Sequence, residues 1–159
     1  MIIAGVDPGT GRVGYAVLKG DRHSSALVSA ETIHLPPGKN AAERLGLLEK
    51  ALAERLGRDK PDAVIVEKLF FAKNAKTALA VAEARGIILL TASRLVRSIW
   101  ECTPLEVKMA VTGYGRADKN QVRKMVQALF PKTKLSAGDD AIDAVAIALT
   151  GLHAKPLLF

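Results

Sequence analysis

Three short segments with strand patterning open the chain, and helical periodicity follows. Residues 2–6 form an apolar run ending at the turn cluster Asp7-Pro8-Gly9-Thr10-Gly11. Val13, Tyr15 and Val17 alternate with Gly14 and Ala16, the period of a half-buried strand. Residues 26–33 make a weaker third strand, and the short turns predict an antiparallel meander. Asn40 with Glu43 three residues on predicts a capped helix start. Leu45, Leu48, Leu52 and Leu56 keep the 3.6 period, and Gly57 reads as the stop. Ala63-Val64-Ile65-Val66 is apolar throughout, like a strand covered on both faces, and it ends at Glu67.

The alternation of strand and helix then repeats. Asn74 is placed to cap an alanine-rich helix reaching about Leu90. Ser98–Cys102 reads as a strand with Trp100 in the core. Thr103-Pro104-Leu105-Glu106 combines a cap residue, proline at the first helical position and glutamate at the third. Asp118-Lys119-Asn120-Gln121 opens another helix, with Val122, Met125, Val126 and Leu129 predicted on its inner face. Ser136 is placed to cap a last helix over about 138–153. The order β-β-β-α-β-α-β-α-α-α predicts an α/β fold. Its five-stranded mixed sheet has three antiparallel strands followed by parallel ones, flanked by helices. At 159 residues one domain is expected, over 1–159.

Composition narrows the class. With 49% hydrophobic and 25% charged residues the chain has ordinary globular usage, which excludes disorder. The lone Cys102 excludes an internal disulfide framework and suits a reducing cytoplasm. The opening MIIAGVDPGT lacks a basic n-region, so no signal peptide is expected, and no apolar run is long enough for a membrane span. The net charge of +7 is regional: residues 68–134 carry 13 basic and 4 acidic side chains, and the remainder is slightly acidic. Such a footprint suits a polyanion such as nucleic acid, or serves solubility alone.

Four acids fit their local settings poorly. Asp7 follows an apolar strand, although Asp before Pro-Gly also starts turns. Glu67 ends a second apolar strand, where it either loses hydration or reaches solvent beside Lys68. Asp140 and Asp143 lie three apart, hence on one face of a helix that is apolar nearly all round. The helix dipole accounts for Asp139 and Asp140 but poorly for the deeper Asp143. Two strand ends and one helix face could bring these carboxylates into one cleft. Crowded carboxylates raise one another's pKa, and an all-oxygen set selects a hard divalent ion, Mg²⁺ or Mn²⁺. Two such ions beside a basic surface are what phosphodiester hydrolysis needs.

The element order resembles the ribonuclease H-like fold, and the local strings resemble the RuvC-type Holliday-junction resolvases. The matching stretches are Gly5-Val6-Asp7-Pro8-Gly9 with Gly14-Tyr15, and Glu67-Lys68-Leu69-Phe70-Phe71-Ala72-Lys73-Asn74. Further matches are Ala84-Arg85-Gly86, Val107-Lys108, Gly113-Tyr114-Gly115, Lys119-Asn120-Gln121-Val122 and Asp140-Ala141-Ile142-Asp143-Ala144. The resemblance implies that Asp7, Glu67, Asp140 and Asp143 hold two metal ions. It also implies a homodimer that nicks four-way DNA junctions symmetrically, leaves ligatable 5′-phosphate ends, and works with a branch-migration motor of the RuvA–RuvB type. Histidine can replace the first acid of the final pair in that family.

Phe70 and Phe71 follow Glu67 among Lys68, Lys73 and Lys76. One ring can enter the core while the other projects to stack on an unpaired base, and the resemblance picks Phe70 for stacking. It also assigns Lys108 and Lys119 to the cleavage site, where a lysine contacts phosphate or stabilises developing negative charge. Lys73 and Lys76 join them as DNA-binding candidates. Ala75, Ala78, Ala82 and Gly86 form a smooth helix stripe, for close packing on the sheet or for a dimer contact, which the resemblance favours. Arg85 and Arg97 are structural or phosphate-binding, and His23, His34 and His153 read as surface residues. Three rival readings stand beside this one. Asp7-Pro8-Gly9-Thr10-Gly11 also resembles the phosphate loop of actin-like ATP-binding domains, which come in pairs. A related ribonuclease H-like enzyme acting on structured RNA is the second, and a non-catalytic DNA-binding module, which the carboxylate set argues against, is the third.

Overall fold

The computed structural model describes residues 1–68, 75–131 and 138–153. Its elements follow the predicted order: β1 (Ile2–Asp7), β2 (Arg12–Gly20), β3 (Ser25–His34), α1 (Ala41–Asp59), β4 (Ala63–Glu67), α2 (Ala75–Leu95), β5 (Ser98–Cys102), α3 (Pro104–Thr112), α4 (Lys119–Leu129) and α5 (Asp139–His153). The five strands form one sheet in the order β3-β2-β1-β4-β5. The β1–β2 and β2–β3 pairs are antiparallel, and the β1–β4 and β4–β5 pairs are parallel.

Strand alternation sorts the core onto two faces. Ala4, Val6, Val13, Tyr15, Val17, Val64 and Val66 pack with α1 and α2 residues such as Leu48, Leu52, Ile88 and Ala92. Ile3, Ala16, Leu18 and Ile65 face the other way, against α3, α4 and α5. Alternation from Ile3 through Gly5 therefore places Asp7 on the α5 face, and alternation from Ile65 does the same for Glu67. The α5 helix is buried over most of its length and lies close on β1 and β2. Glycine permits this approach. A Cβ at Gly5 would collide with the Ala144 carbonyl and the Ala148 amide, and one at Gly14 with the Asp140 carbonyl.

Caps at Asn40, Thr103 and Asp118 close full capping boxes with Glu43, Glu106 and Gln121. Other boundaries and faces differ from expectation. The α1 helix passes Gly57 to Asp59, because Asp59 binds Arg58 and the Tyr15 hydroxyl, and Lys60 closes it with φ 44°. The α2 helix passes Leu90 to Leu95, carried by the buried Ala92 and Val96. On α4 the buried stripe is Val122 and Val126, and Met125 and Leu129 are exposed beside it. Trp100 is only partly buried, since β5 is an edge strand. Ala84, Ile88 and Ala92 form the sheet-facing side of α2, so Gly86, with open space beside it, does not pack there. Asn74, Ser136 and both phenylalanines of the Phe70-Phe71 pair lie outside the described residues.

Candidate active site

Parallel pairing of Val6 with Val66 carries β1 and β4 to the same level, where Asp7 and Glu67 end adjacent strands. The N-terminal turns of α5 bring Asp140 and Asp143 over them, since Gly14 lets the Asp140 backbone sit directly on β2. Burial first, and then the Asp143, Glu67 and Asp140 carboxylates, push Asp7 well above its usual range against the pull of Lys119. Burial and the Asp143 charge raise Glu67, opposed by Lys119 and Lys108. Asp7 lies in the field of the other three acids and Glu67 in that of Asp143, so the four form one cluster of negative charge.

Two cations engage this unit directly. Lys119 Nζ lies 2.9 Å from Asp143 Oδ2, and Arg12 Nε lies 3.1 Å from Asp140 Oδ2. Among the described residues neither makes an ion pair with Asp7 or Glu67. The hydrogen bond to Asp143 holds the Lys119 ammonium protonated above its ordinary range. Glu67 and Asp143 line a cleft of about 510 Å³ together with Lys108, Arg116 and Lys119. Lys119 owes its place to the Asp118 cap that starts α4. Asp7 and Asp140 lie outside that lining, Asp140 beside the exposed Arg12. Asp139 points elsewhere, to Arg123 at 2.6 Å.

Of the other residues that the sequence singles out, Phe70 and Lys73 lie outside the described residues, and Lys76 falls in the first turn of α2. Arg85 pairs with Glu101, a structural contact between α2 and β5. Sequence reasoning missed Arg12 and Arg116. Arg12 had one readable signal, its place in the Gly-rich turn that follows Asp7. Burial pushes the Cys102 thiol up to about 12, so it is no nucleophile.

The cluster fits a hard divalent cation in its chemistry: oxygen donors only, negatively charged, with Asp7 and Glu67 in no ion pair among the described residues. Among the described residues no three of these side chains converge closely enough to grip an ion as they stand. Asp143 and Asp140 are instead paired with Lys119 and Arg12.

Comparison with known proteins gives a consistent result. The family described as "Crossover junction endodeoxyribonuclease RuvC" matches residues 3–151. The crossover junction endodeoxyribonuclease RuvC of Moorella thermoacetica is 44% identical over 149 residues, covering 94% of this chain and 89% of that protein. The structure of Thermus thermophilus RuvC in complex with a Holliday junction substrate superposes with a TM-score of 0.86 at 32% identity, covering 94% and 92% of the two chains. The yeast mitochondrial Holliday junction resolvase, at 11% identity and a TM-score of 0.70, covering 94% of this chain and 78% of its own, shares the fold alone. The five-stranded mixed sheet with its helices is thus the ribonuclease H-like fold of these resolvases.

Proposed function

The chain belongs to the crossover junction endodeoxyribonuclease RuvC family, and we propose that it resolves four-way DNA junctions by paired, symmetric, metal-dependent nicks that leave ligatable 5′-phosphate ends. The observation that carries this reading is the carboxylate cluster at the ends of β1 and β4 under α5, of which Glu67 and Asp143 share one cleft with Lys108, Arg116 and Lys119. In this reading Asp7, Glu67, Asp140 and Asp143 hold the divalent ions, Mg²⁺ or Mn²⁺, two per site. When bound, such a pair supplies an activated water and stabilises the leaving oxygen.

The chain's own side chains do the rest. Lys108 and Arg116 on the cleft wall receive the phosphates flanking the cut. Lys119, released from Asp143, offers its ammonium to the negative charge that develops on the scissile phosphate. Phe70 stacks on a base unpaired at the junction, with Lys73 and Lys76 on adjoining phosphates. Paired cuts require two sites related by a two-fold axis, hence a homodimer. The outward face of α2 suits that contact: Leu79 and Leu90 are 71% and 46% exposed, and Gly86 leaves room for close approach. A branch-migration motor of the RuvA–RuvB type is the working partner, and the cytoplasm the compartment. No helix among the described residues is long and apolar enough to cross a membrane.

A nicking assay on a four-way junction, a linear duplex and a structured RNA, with and without chelator, tests this. Junction-selective cutting that chelator abolishes is expected. Equal cutting of RNA or duplex, or cutting unaffected by chelator, would contradict it.

A further inference from the structure

A second groove lies beside the catalytic cleft, and nothing in the mechanism above uses it. It has a volume of about 470 Å³ and is lined by Thr112, Tyr114, Gln121, Lys124, Met125 and Ala128. Ala117 lines both this groove and the catalytic cleft, so the loop between α3 and α4 is their common wall. No carboxylate lines it, and its one charge is the Lys124 ammonium. The cavity at the β5 edge makes a contrast, since Glu101 and Glu106 line that one and would repel a phosphate chain.

Tyr114 is the unusual member. It is 55% exposed, yet its backbone is fastened on both sides. Gly113, at φ 70°, turns the chain out of α3 and donates to the Met109 carbonyl. The Tyr114 N–H then donates to the Thr112 hydroxyl at 3.1 Å, and the Tyr114 carbonyl accepts from the Ala117 N–H at 3.0 Å. A large ring on a fixed backbone pre-empts the ordering cost that a loop aromatic would otherwise carry into binding. Met125, 39% exposed on α4, continues the apolar floor. An aromatic platform with a lysine beside it is the arrangement that takes a nucleotide, base on ring and phosphate on ammonium.

We propose that this groove binds one nucleotide of the cleaved DNA strand next to the scissile phosphate, with its base on Tyr114 and its phosphate on Lys124. The proposal rests on the junction-nuclease reading and adds a subsite to it. Adjacency to the catalytic cleft across the Ala117 wall and the absence of carboxylates favour the strand over a protein segment.

The test uses the full chain without divalent ions and junctions carrying 5-iodo-deoxyuridine at single positions flanking the cut. Irradiation should crosslink Tyr114 at one or two neighbouring positions. Tyr114→Ala should lose that crosslink and bind the junction about 5- to 150-fold more weakly, the worth of one stacked base. Tyr114→Phe should restore both, and thermal melting should be unchanged in either variant because the ring is exposed. Lys124→Ala should lower the slope of log affinity against log salt by about 0.9, the value of one phosphate contact. Binding by Tyr114→Ala within twofold of wild type, with no crosslink at residue 114, would overturn the subsite while leaving junction cutting by the wild type intact. A Tyr114→Ala defect that emerges only when a motor protein is added would assign the groove to a protein partner and overturn it equally. Wild-type chain that neither binds nor cuts junctions would bring down both readings.

Discussion

Two groups of carboxylates occupy opposite faces of the same sheet: Glu31 and Asp59 are shifted down on one, and Asp7 and Glu67 are shifted up on the other. On the α1 face, Glu31 accepts from Arg55 and Arg58 at 2.7 and 3.1 Å, and Asp59 accepts from Arg58 and the Tyr15 hydroxyl at 2.8 and 2.9 Å. Burial pushes Glu31 up, but the two arginines hold it below its ordinary range, and Arg58 with Tyr15 does the same for Asp59. Two acids face two guanidinium groups and a hydroxyl. On the α5 face, Lys119 and Arg12 pair with Asp143 and Asp140, Lys108 and Arg116 stand on the cleft wall, and Asp7 and Glu67, with no ion pair among the described residues, are raised. The first cluster fastens the end of α1 to the sheet. The second leaves Asp7 and Glu67 buried without a direct ion pair among the described residues, a cost in stability that a metal ion would relieve. Perturbed carboxylates without matching partners mark a functional site, whereas fully matched ones mark a structural one.

The sharpest way to break this contrast is to remove one acid from each side. Asp7→Asn, Glu67→Gln or Asp143→Asn should slow nicking by more than about 100-fold, since even outer partners of a metal site cost 10–100-fold. Junction affinity should stay within a few-fold, because lysine and arginine supply it. Asp59→Asn should leave nicking near wild type in the same rate assay.

Stability should reverse that order. Asp59→Asn leaves Arg58 and the Tyr15 hydroxyl poorly matched and should cost about 1–3 kcal/mol in denaturant unfolding. The metal-free Asp7→Asn variant should instead be more stable than wild type at neutral pH. The folded chain keeps the protons of Asp7 and Glu67 to higher pH than the unfolded chain does. Between the ordinary carboxylate range and those raised values the folded state binds more protons, so stability falls as pH rises. The gap between Asp7→Asn and wild type should therefore close as pH drops toward about 4. For Asp59 and Glu31 the sign is opposite: their contribution is present above the ordinary range and lost as pH falls through the lowered values. Thermal melts across pH, with and without each substitution, check both signs.

The smallest effect is expected at Asp139. It is exposed and paired with Arg123 rather than with Lys119 or Arg12. Asp139→Asn should keep most nicking activity and cost only the dipole contribution of about 0.3–1 kcal/mol. Asp140→Asn should lose activity, with partial recovery in Asp140→His, whose neutral ring nitrogen can ligate Mn²⁺. Rates for the three variants side by side separate the neighbours.

The two clusters were not equally legible in the sequence. Asp7 and Glu67 were readable because each terminates an apolar strand, and the spacing of Asp140 and Asp143 put them on one helix face. The element order followed from periodicity and from caps such as Thr103 and Asp118, whose chemistry is local. The α1-face cluster left no local trace, since Tyr15, Glu31 and Asp59 meet only through the β2–β3 register and the α1 terminus. That same tertiary contact carried α1 past Gly57. Met125 and Leu129 misled because hydrophobic spacing does not say which flank of a helix a neighbour covers. The Arg12–Asp140 pair depends on how closely Gly14 lets α5 approach, which no spacing along the chain encodes.

In the proposed function the α5-face cluster, where Asp7 and Glu67 lack ion pairs among the described residues, takes a divalent ion. The most direct test is the thermal unfolding midpoint followed through a Mn²⁺ titration at neutral pH, for wild type, Asp7→Asn and Asp59→Asn. An ion that binds only the folded chain stabilises it by about 2.7 kcal/mol at one hundred times its dissociation constant. Wild type and Asp59→Asn should climb together with Mn²⁺, Asp59→Asn from a lower start, while Asp7→Asn stays nearly flat. A wild-type midpoint indifferent to Mn²⁺, or an Asp7→Asn curve that climbs as steeply, would contradict the account.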